Sequence, residues 1–166
     1  MWWIAAGVSL LLISVSIYTL LYHSVQQWRA VNRLESLGVR IAYATELDEH
    51  ANEMKTWSWL EEAVLPRKAY VRVQRLDFRG IGTRPVDEVN ALLALRDLTQ
   101  INLAGTRTSD EDVALLSRLP SIKHLVLRAT EVTDQSIDSL ASMKQLTVVD
   151  LSETAISDHG KERLLD

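Results

Sequence analysis

Residues 98–164 repeat one pattern of apolar and polar positions every 24 residues. Apolar side chains recur in four columns with this spacing, namely Leu98/Ile122/Leu146, Ile101/Leu125/Val149, Leu103/Leu127/Leu151 and Leu116/Leu140/Leu164. Within each copy apolar and polar residues alternate, as in Gln100 to Leu103, which predicts a half-buried β-strand. A weaker copy, with one extra loop residue, runs from Leu76 to Leu95. The pattern predicts about four equivalent units that bury their apolar faces by stacking.

A hydroxyl residue followed by an aspartate recurs after each strand. The pairs are Ser109-Asp110, Thr133-Asp134 and Ser157-Asp158. A hydroxyl at this place accepts a free N–H at a helix start, and the carboxylate meets the positive end of the helix dipole. Each pair therefore predicts a short helix, and we interpret the three aspartates as helix caps rather than ligands.

Each copy reads L-x-x-I/L/V-x-L-x-x-T-x-T/V/I-S/T-D, which resembles the leucine-rich repeat. The resemblance covers about residues 73–166, and the whole chain resembles bacterial leucine-rich-repeat proteins with a single N-terminal membrane helix. It implies an α/β fold class: a short leucine-rich-repeat solenoid of about four repeats with a parallel sheet on its concave face, an N-terminal α/β cap and one transmembrane helix. The chain departs from the family at Thr106, Thr130 and Thr154, which occupy its Asn/Cys position. A hydroxyl can bind turn backbone there, with fewer bonds than an amide.

The segment Trp2 to Tyr22 contains no charged residue. As a helix it would span roughly 31 Å, close to the ~30 Å of a bilayer core, with aromatic rings at both ends. This predicts a transmembrane helix that also contacts membrane lipid. A cleaved signal peptide, the alternative, needs a charged start, a shorter apolar run and a small-residue cleavage site. Arg29, Arg33 and Arg40 follow the segment, so the positive-inside rule predicts a single-pass membrane protein with its C-terminal part in the cytoplasm.

Residues after this segment have the spacing of an amphipathic helix. Trp28, Val31, Leu34 and Leu37 lie three or four positions apart, and Gly38 is a typical residue just past a helix end. We expect the N-terminal helix to continue directly into this one. Residues 39–43 then alternate as a strand, which we expect to pair with the first repeat strand.

Residues 45–56 are polar and acidic, which predicts a loop, and residues 57–65 predict a helix that Pro66 ends. Its apolar residues are interpreted as core of the N-terminal cap, with an exposed aromatic binding patch as the alternative. The predicted organisation is a transmembrane helix at 1–23, an amphipathic helix and N-terminal cap at 24–70, and a leucine-rich-repeat domain at 71–166.

Composition excludes several classes of function. The 166 residues contain no cysteine, which excludes disulfides, a thiol nucleophile and cysteine-bound metals. A formal net charge of −4 argues against a nucleic-acid partner, which needs clustered basic residues. A basic stretch, opposed only by Asp77, has two interpretations: a solvated face, or a contact for anionic lipid or an acidic partner. It comprises Arg67, Lys68, Arg72, Arg75, Arg79 and Arg84.

No catalytic motif is present in the sequence. The four histidines lack metal-site spacing, and the chain has no G-x-S-x-G, Walker-type or Rossmann motif. We therefore expect a non-enzyme with no metal site, no cofactor and no small-molecule substrate.

The expected function is protein–protein interaction or scaffolding from a membrane anchor. The side chains predicted to point out of the concave sheet, as candidate partner-binding residues, are Arg75, Asp77, Arg79, Gln100, Asn102, His124, Val126, Arg128, Asp150 and Ser152, together with Ala104 and Val148. The partner is an unidentified protein, or a second copy of the chain bound at an uncapped C-terminal edge strand. The alternative is an accessory subunit of a larger membrane complex, held mainly through its transmembrane helix.

Overall fold

A computed structural model describes residues 2–44, 72–81 and 88–165, and the loop and helix predicted at 45–65 lie outside them. A 3₁₀ turn, Asp134–Ser136, leads into the helix Ile137–Ser142. The described elements are α1 (Trp2–Ser36), β1 (Arg40–Tyr43), β2 (Val73–Asp77), α2 (Val89–Leu93), β3 (Gln100–Asn102), α3 (Asp110–Leu116), β4 (His124–Val126), α4 (Ile137–Ser142), β5 (Val148–Asp150) and α5 (Asp158–Leu165).

The strands form one five-stranded sheet in the order β1-β2-β3-β4-β5. Strands β2 to β5 are parallel, and Arg75 pairs with Gln100, Gln100 with His124, and His124 with Val148. The 24-residue period of the sequence is therefore the register of the sheet from β3 to β5, and the extra loop residue of the first copy makes the step from β2 to β3 one residue longer.

Strand β1 pairs with β2 in the antiparallel direction, with Arg40 opposite Asp77. The chain reverses after α1 because Gly38 takes a positive φ of 82°, and the Val39 N–H bonds back to the Leu34 carbonyl at 3.1 Å. The predicted strand at 39–43 and its pairing with the first repeat strand are confirmed.

The predicted fold class, a leucine-rich-repeat solenoid with a parallel sheet, an N-terminal cap and a transmembrane helix, is wrong. The structure is a mixed α/β fold whose single sheet combines parallel and antiparallel strands. Strand β1 follows α1 through the turn at Gly38, and its register sets Arg40 against Asp77. The 24-residue period that predicts parallel neighbours does not extend to this strand, so the sheet begins with an antiparallel pair.

The predicted membrane anchor is also wrong. Within residues 2–44, 72–81 and 88–165, no helix has both the length and the apolarity needed to cross a membrane. Trp2 to Tyr22 is not a separate helix, because α1 continues without interruption to Ser36. This agrees with the expectation that the N-terminal helix runs directly into the amphipathic helix. This finding overturns the single-pass membrane localisation with its cytoplasmic C-terminal part. The accessory-subunit alternative, which depended on that helix, loses its basis.

The last turns of α1 pack against the repeat region. Ala30, Val31 and Leu34 are buried in the hydrophobic core. Arg33 donates from Nε and Nη2 to the carboxylate of Glu88, just before α2, at 2.8–3.1 Å. Glu88 is buried, and its bidentate ion pair with Arg33 and the apolar contacts together hold α1 against α2.

The repeat columns form the core. Leu98, Ile101, Leu103 and Leu116 are each at most 1% exposed, as are their equivalents in the next repeat. The threonine column satisfies backbone groups within its own repeat, since each hydroxyl donates to the carbonyl three residues earlier. The bonds run from Thr106 to Leu103, Thr130 to Leu127 and Thr154 to Leu151, at 2.6–2.7 Å. These hydroxyls close the turn after each strand and make no bonds between repeats.

Candidate functional site

The candidate residues lie together on the side of the sheet that faces away from the core. We call this surface the outer strand face. Every candidate residue is half-buried or exposed. The face has three rows: Ala42/Arg75/Gln100/His124/Val148, Arg40/Asp77/Asn102/Val126/Asp150, and, just after the strands, Arg79/Ala104/Arg128/Ser152. The structure thus places the predicted residues side by side.

The second row carries the same local bond in three of its four repeat strands. A side-chain oxygen at the strand end accepts the backbone N–H two residues later, at 3.0 Å in each case. The oxygens belong to Asp77, Asn102 and Asp150. Such Asx turns fix the path of the chain leaving the strand. They also hold these three side chains in place, so the outer strand face is built from preordered groups.

Val126 is the exception in this row. It occupies the strand end in the third repeat, between Asn102 and Asp150, and its apolar side chain cannot accept the Arg128 N–H. Arg128 instead reaches towards the next repeat, where its Nη2 bonds Glu153 at 2.6 Å. The face therefore has an apolar position at its centre.

Bonds across the first row and at the strand ends tie neighbouring repeats and β1 together. Arg75 Nε donates to Gln100 Oε1 at 2.7 Å, so it spans from β2 to β3. Asp77 accepts from Arg79 and also pairs with Arg40 at 3.0 Å. The hydrogen bond from Arg79 is the main reason that the pKa of Asp77 lies below its ordinary value.

Charge on the outer strand face is divided between its two ends. At the β1–β2 end, Arg40, Arg75 and Arg79 outnumber Asp77. At the β5 end, Asp150 and Glu153 outnumber Arg128. Hydrogen bonds from the Ser152 hydroxyl and N–H lower the pKa of Asp150, so this carboxylate stays charged at neutral pH. The face is basic at one end and acidic at the other.

Sequence reasoning missed three members of this surface. Arg40 and Ala42 extend the rows onto β1, and Glu153 closes the acidic end through its pair with Arg128. The alternation at 39–43 was a usable signal for the first two, because a strand paired with β2 must present every second residue on the same side. Of the predicted basic stretch, Arg67, Lys68 and Arg84 lie outside the described residues.

Two of the three recurrent aspartates link one repeat to the next. Asp110 accepts the Thr133 N–H at 2.8 Å and the Thr133 hydroxyl at 2.7 Å, and it also accepts the Ser136 hydroxyl. Asp134 makes the same pair of bonds to Ser157. The helix-cap interpretation is therefore incomplete, because the hydroxyls cap the helices while these two carboxylates bridge repeats. No sequence signal distinguishes a cap from a bridge.

The described residues do not bring together a metal site. Among them, no group of three or more histidine, aspartate and glutamate side chains could hold a metal ion. His124 lies on the outer strand face, whereas His23 lies on α1, where its ring nitrogens contact Arg96 Nη2 at 2.7 and 3.0 Å.

Comparison with known proteins adds no assignment. The chain matches no protein-family model, no curated protein and no solved structure.

Proposed function

We propose that this chain is a non-catalytic protein-binding module whose 24-residue repeat region binds a partner through the outer strand face. The observation that carries the proposal is the set of aligned, preordered polar side chains on that face, from Arg75 on β2 to Ser152 after β5. Polar groups already held in place lose little conformational freedom when a partner binds, which favours affinity and specificity.

The charge division of the face indicates the kind of partner. A protein that presents acidic groups towards β2 and basic groups towards β5 would complement it. The apolar Val126 lies between these ends, where a partner side chain can exclude water. Since charged groups at the two ends would steer the encounter, we expect the association rate to fall with added salt.

The size of the face predicts a weak complex. It presents about a dozen repeat residues, against roughly 20–30 on each side of a standard interface. We therefore expect a dissociation constant on the order of micromolar, typical of transient complexes.

The test uses the full chain with a photo-crosslinking amino acid at His124, in the middle of the face. A matched chain carries the same group at Glu111, an exposed residue of α3. Crosslinking in the source cells should yield one discrete product from the His124 position and none from the Glu111 position. The captured partner is then purified and its affinity measured by calorimetry.

The variants Gln100→Glu and His124→Lys place a charge of the same sign opposite the expected partner groups. Each should therefore weaken binding of the purified partner at least tenfold while leaving the unfolding temperature unchanged. Equal crosslinking from both positions, or binding that both variants leave unchanged, would refute the proposal.

A further inference from the structure

The last repeat exposes the apolar columns that the earlier repeats bury. Leu146, Val149, Leu151 and Leu164 are only partly buried, whereas the corresponding residues of the two preceding repeats are at most 1% exposed. Val148, on β5 itself, is 53% exposed. Two open grooves of roughly 370 and 380 Å³ flank Leu164 at this end. We call this surface, formed by β5 and α5, the end face.

The outer edge of β5 also has backbone groups in position for another strand. In the preceding repeats, the Thr99 and Lys123 carbonyls accept N–H groups from the following repeat, and the Leu103 and Leu127 N–H groups donate to it. Thr147 and Leu151 hold the equivalent positions, and the described sheet contains no strand beyond β5. An edge of this kind is a template for pairing with another chain.

We propose that the end face binds a second copy of this chain, with β5 paired antiparallel to β5 of the second copy about a two-fold axis at Val148. The end face shares Val148 and Asp150 with the outer strand face. Self-association of the purified chain needs no other partner, so the inference is tested separately from the proposed function.

Charge is the reason for choosing a second copy in this orientation. Exposed Lys123 and Lys144 lie before β4 and β5, at one end of the strands. Asp150 and Glu153 lie at the other end, where they outnumber Arg128. A two-fold axis across β5 brings the lysine end of each copy against the acidic end of the other. A parallel arrangement would place like charges together.

Pairing about this two-fold axis also covers Val148, the exposed apolar side chain on β5. Val148 of one copy faces Val148 of the other at about 5 Å between Cβ atoms, as expected for directly opposed residues of an antiparallel pair. Because the strand is short and the apolar area small, we expect a dissociation constant on the order of 10–100 µM, as for small interfaces.

A single-cysteine experiment tests the geometry, since the chain has no cysteine of its own. The full-length Val148→Cys protein should form a disulfide-linked dimer under mild oxidation, because the α-carbons of such a directly opposed pair lie about 4.5 Å apart, within the range found for disulfides. The matched control is Glu111→Cys, which places a thiol on exposed α3, away from the end face, and should form no disulfide-linked dimer under the same conditions.

Sedimentation of the cysteine-free protein tests the energetics. Lys144→Glu and Glu153→Lys should each raise the dimer dissociation constant at least threefold, and the double variant should restore it to within about twofold of the original, because the two charges exchange places. Thermal unfolding of each variant checks that its fold is intact. A protein that stays monomeric at ~200 µM, equal crosslinking by the two cysteine variants, or a dimer unaffected by both charge reversals would overturn the inference.

Discussion

The turn after each strand contains one residue in the left-handed region, and this offers a sharp test of the structure. Gly80 and Gly105 have φ values of 77° and 71°, and the equivalent residues Ala129 and Glu153 have 54° and 58°. An L residue is strained in this region, whereas glycine is not. Ala129→Gly should therefore stabilise the protein, and Gly105→Ala should destabilise it.

The magnitude follows from two opposing terms. Left-handed backbone costs alanine about 1–2 kcal/mol. The greater freedom of glycine in the unfolded chain cancels about 0.4–1 kcal/mol of the gain. The net stabilisation by Ala129→Gly is then about 0.5–1 kcal/mol, or roughly 1–4 °C in unfolding temperature for a chain of this size. Nothing lies within 4 Å of a β-carbon added at Gly105, so the reverse change measures backbone strain without a steric clash.

Thermal and urea unfolding of the full chain measure both effects. Ala114→Gly, at an exposed site inside α3, is the control and should lose about 0.5–1 kcal/mol, since glycine weakens helices. Ala129→Asn should fall between alanine and glycine, because asparagine tolerates the left-handed region. If Ala129→Gly lowers the unfolding temperature as much as Ala114→Gly does, the reasoning fails.

Three further predictions concern the bonds that hold repeats in place. Gly160→Ala should lower the unfolding temperature, although alanine normally favours helices, because the new β-carbon would overlap the Asp134 carboxylate; no change, or a gain, in calorimetry would contradict this. Val126→Asn should stabilise the fold by about 0.5–1.5 kcal/mol in urea unfolding by supplying the missing acceptor for the Arg128 N–H, whereas Val126→Thr is the β-branched control. Acid should destabilise the protein: burial raises the pKa of Asp110, but hydrogen bonds from the next repeat outweigh it, and similar bonds lower the pKa of Asp134. The contribution of these two carboxylates to stability is therefore complete above the unfolded pKa of about 4 and is lost as the pH falls below it. Asp110→Asn should flatten the dependence of unfolding free energy on pH below about 4.

The left-handed turn residues could be predicted from the sequence, whereas the role of the bridging aspartates could not. The column of Gly80, Gly105, Ala129 and Glu153 is visible in the sequence once the repeats are aligned, so the strain at Ala129 could have been anticipated. The role of Asp110 could not, because its partners lie in the next repeat and become neighbours only after the repeats have stacked.

The N-terminal helix shows why apolarity alone misleads. Trp2 to Tyr22 suggested a separate membrane helix because the segment has no charge. Local hydropathy does not decide where a helix ends, and α1 continues to Ser36 because Val31 and Leu34 pack in the protein core. That packing depends on α2, which lies more than fifty residues away in sequence.

By itself, the sequence determined the 24-residue unit, the strand and short helix within it, the in-register pairing from β3 to β5, and the set of side chains on the outer strand face. These follow from periodicity, which is local and recurs in every copy. Only the tertiary structure decided that β1 runs antiparallel to β2, that Asp110 and Asp134 join repeats, and that the apolar columns of the last repeat are left partly exposed. Each of these depends on which element lies beside another, and contacts between distant parts of a chain leave no periodic signal in its sequence.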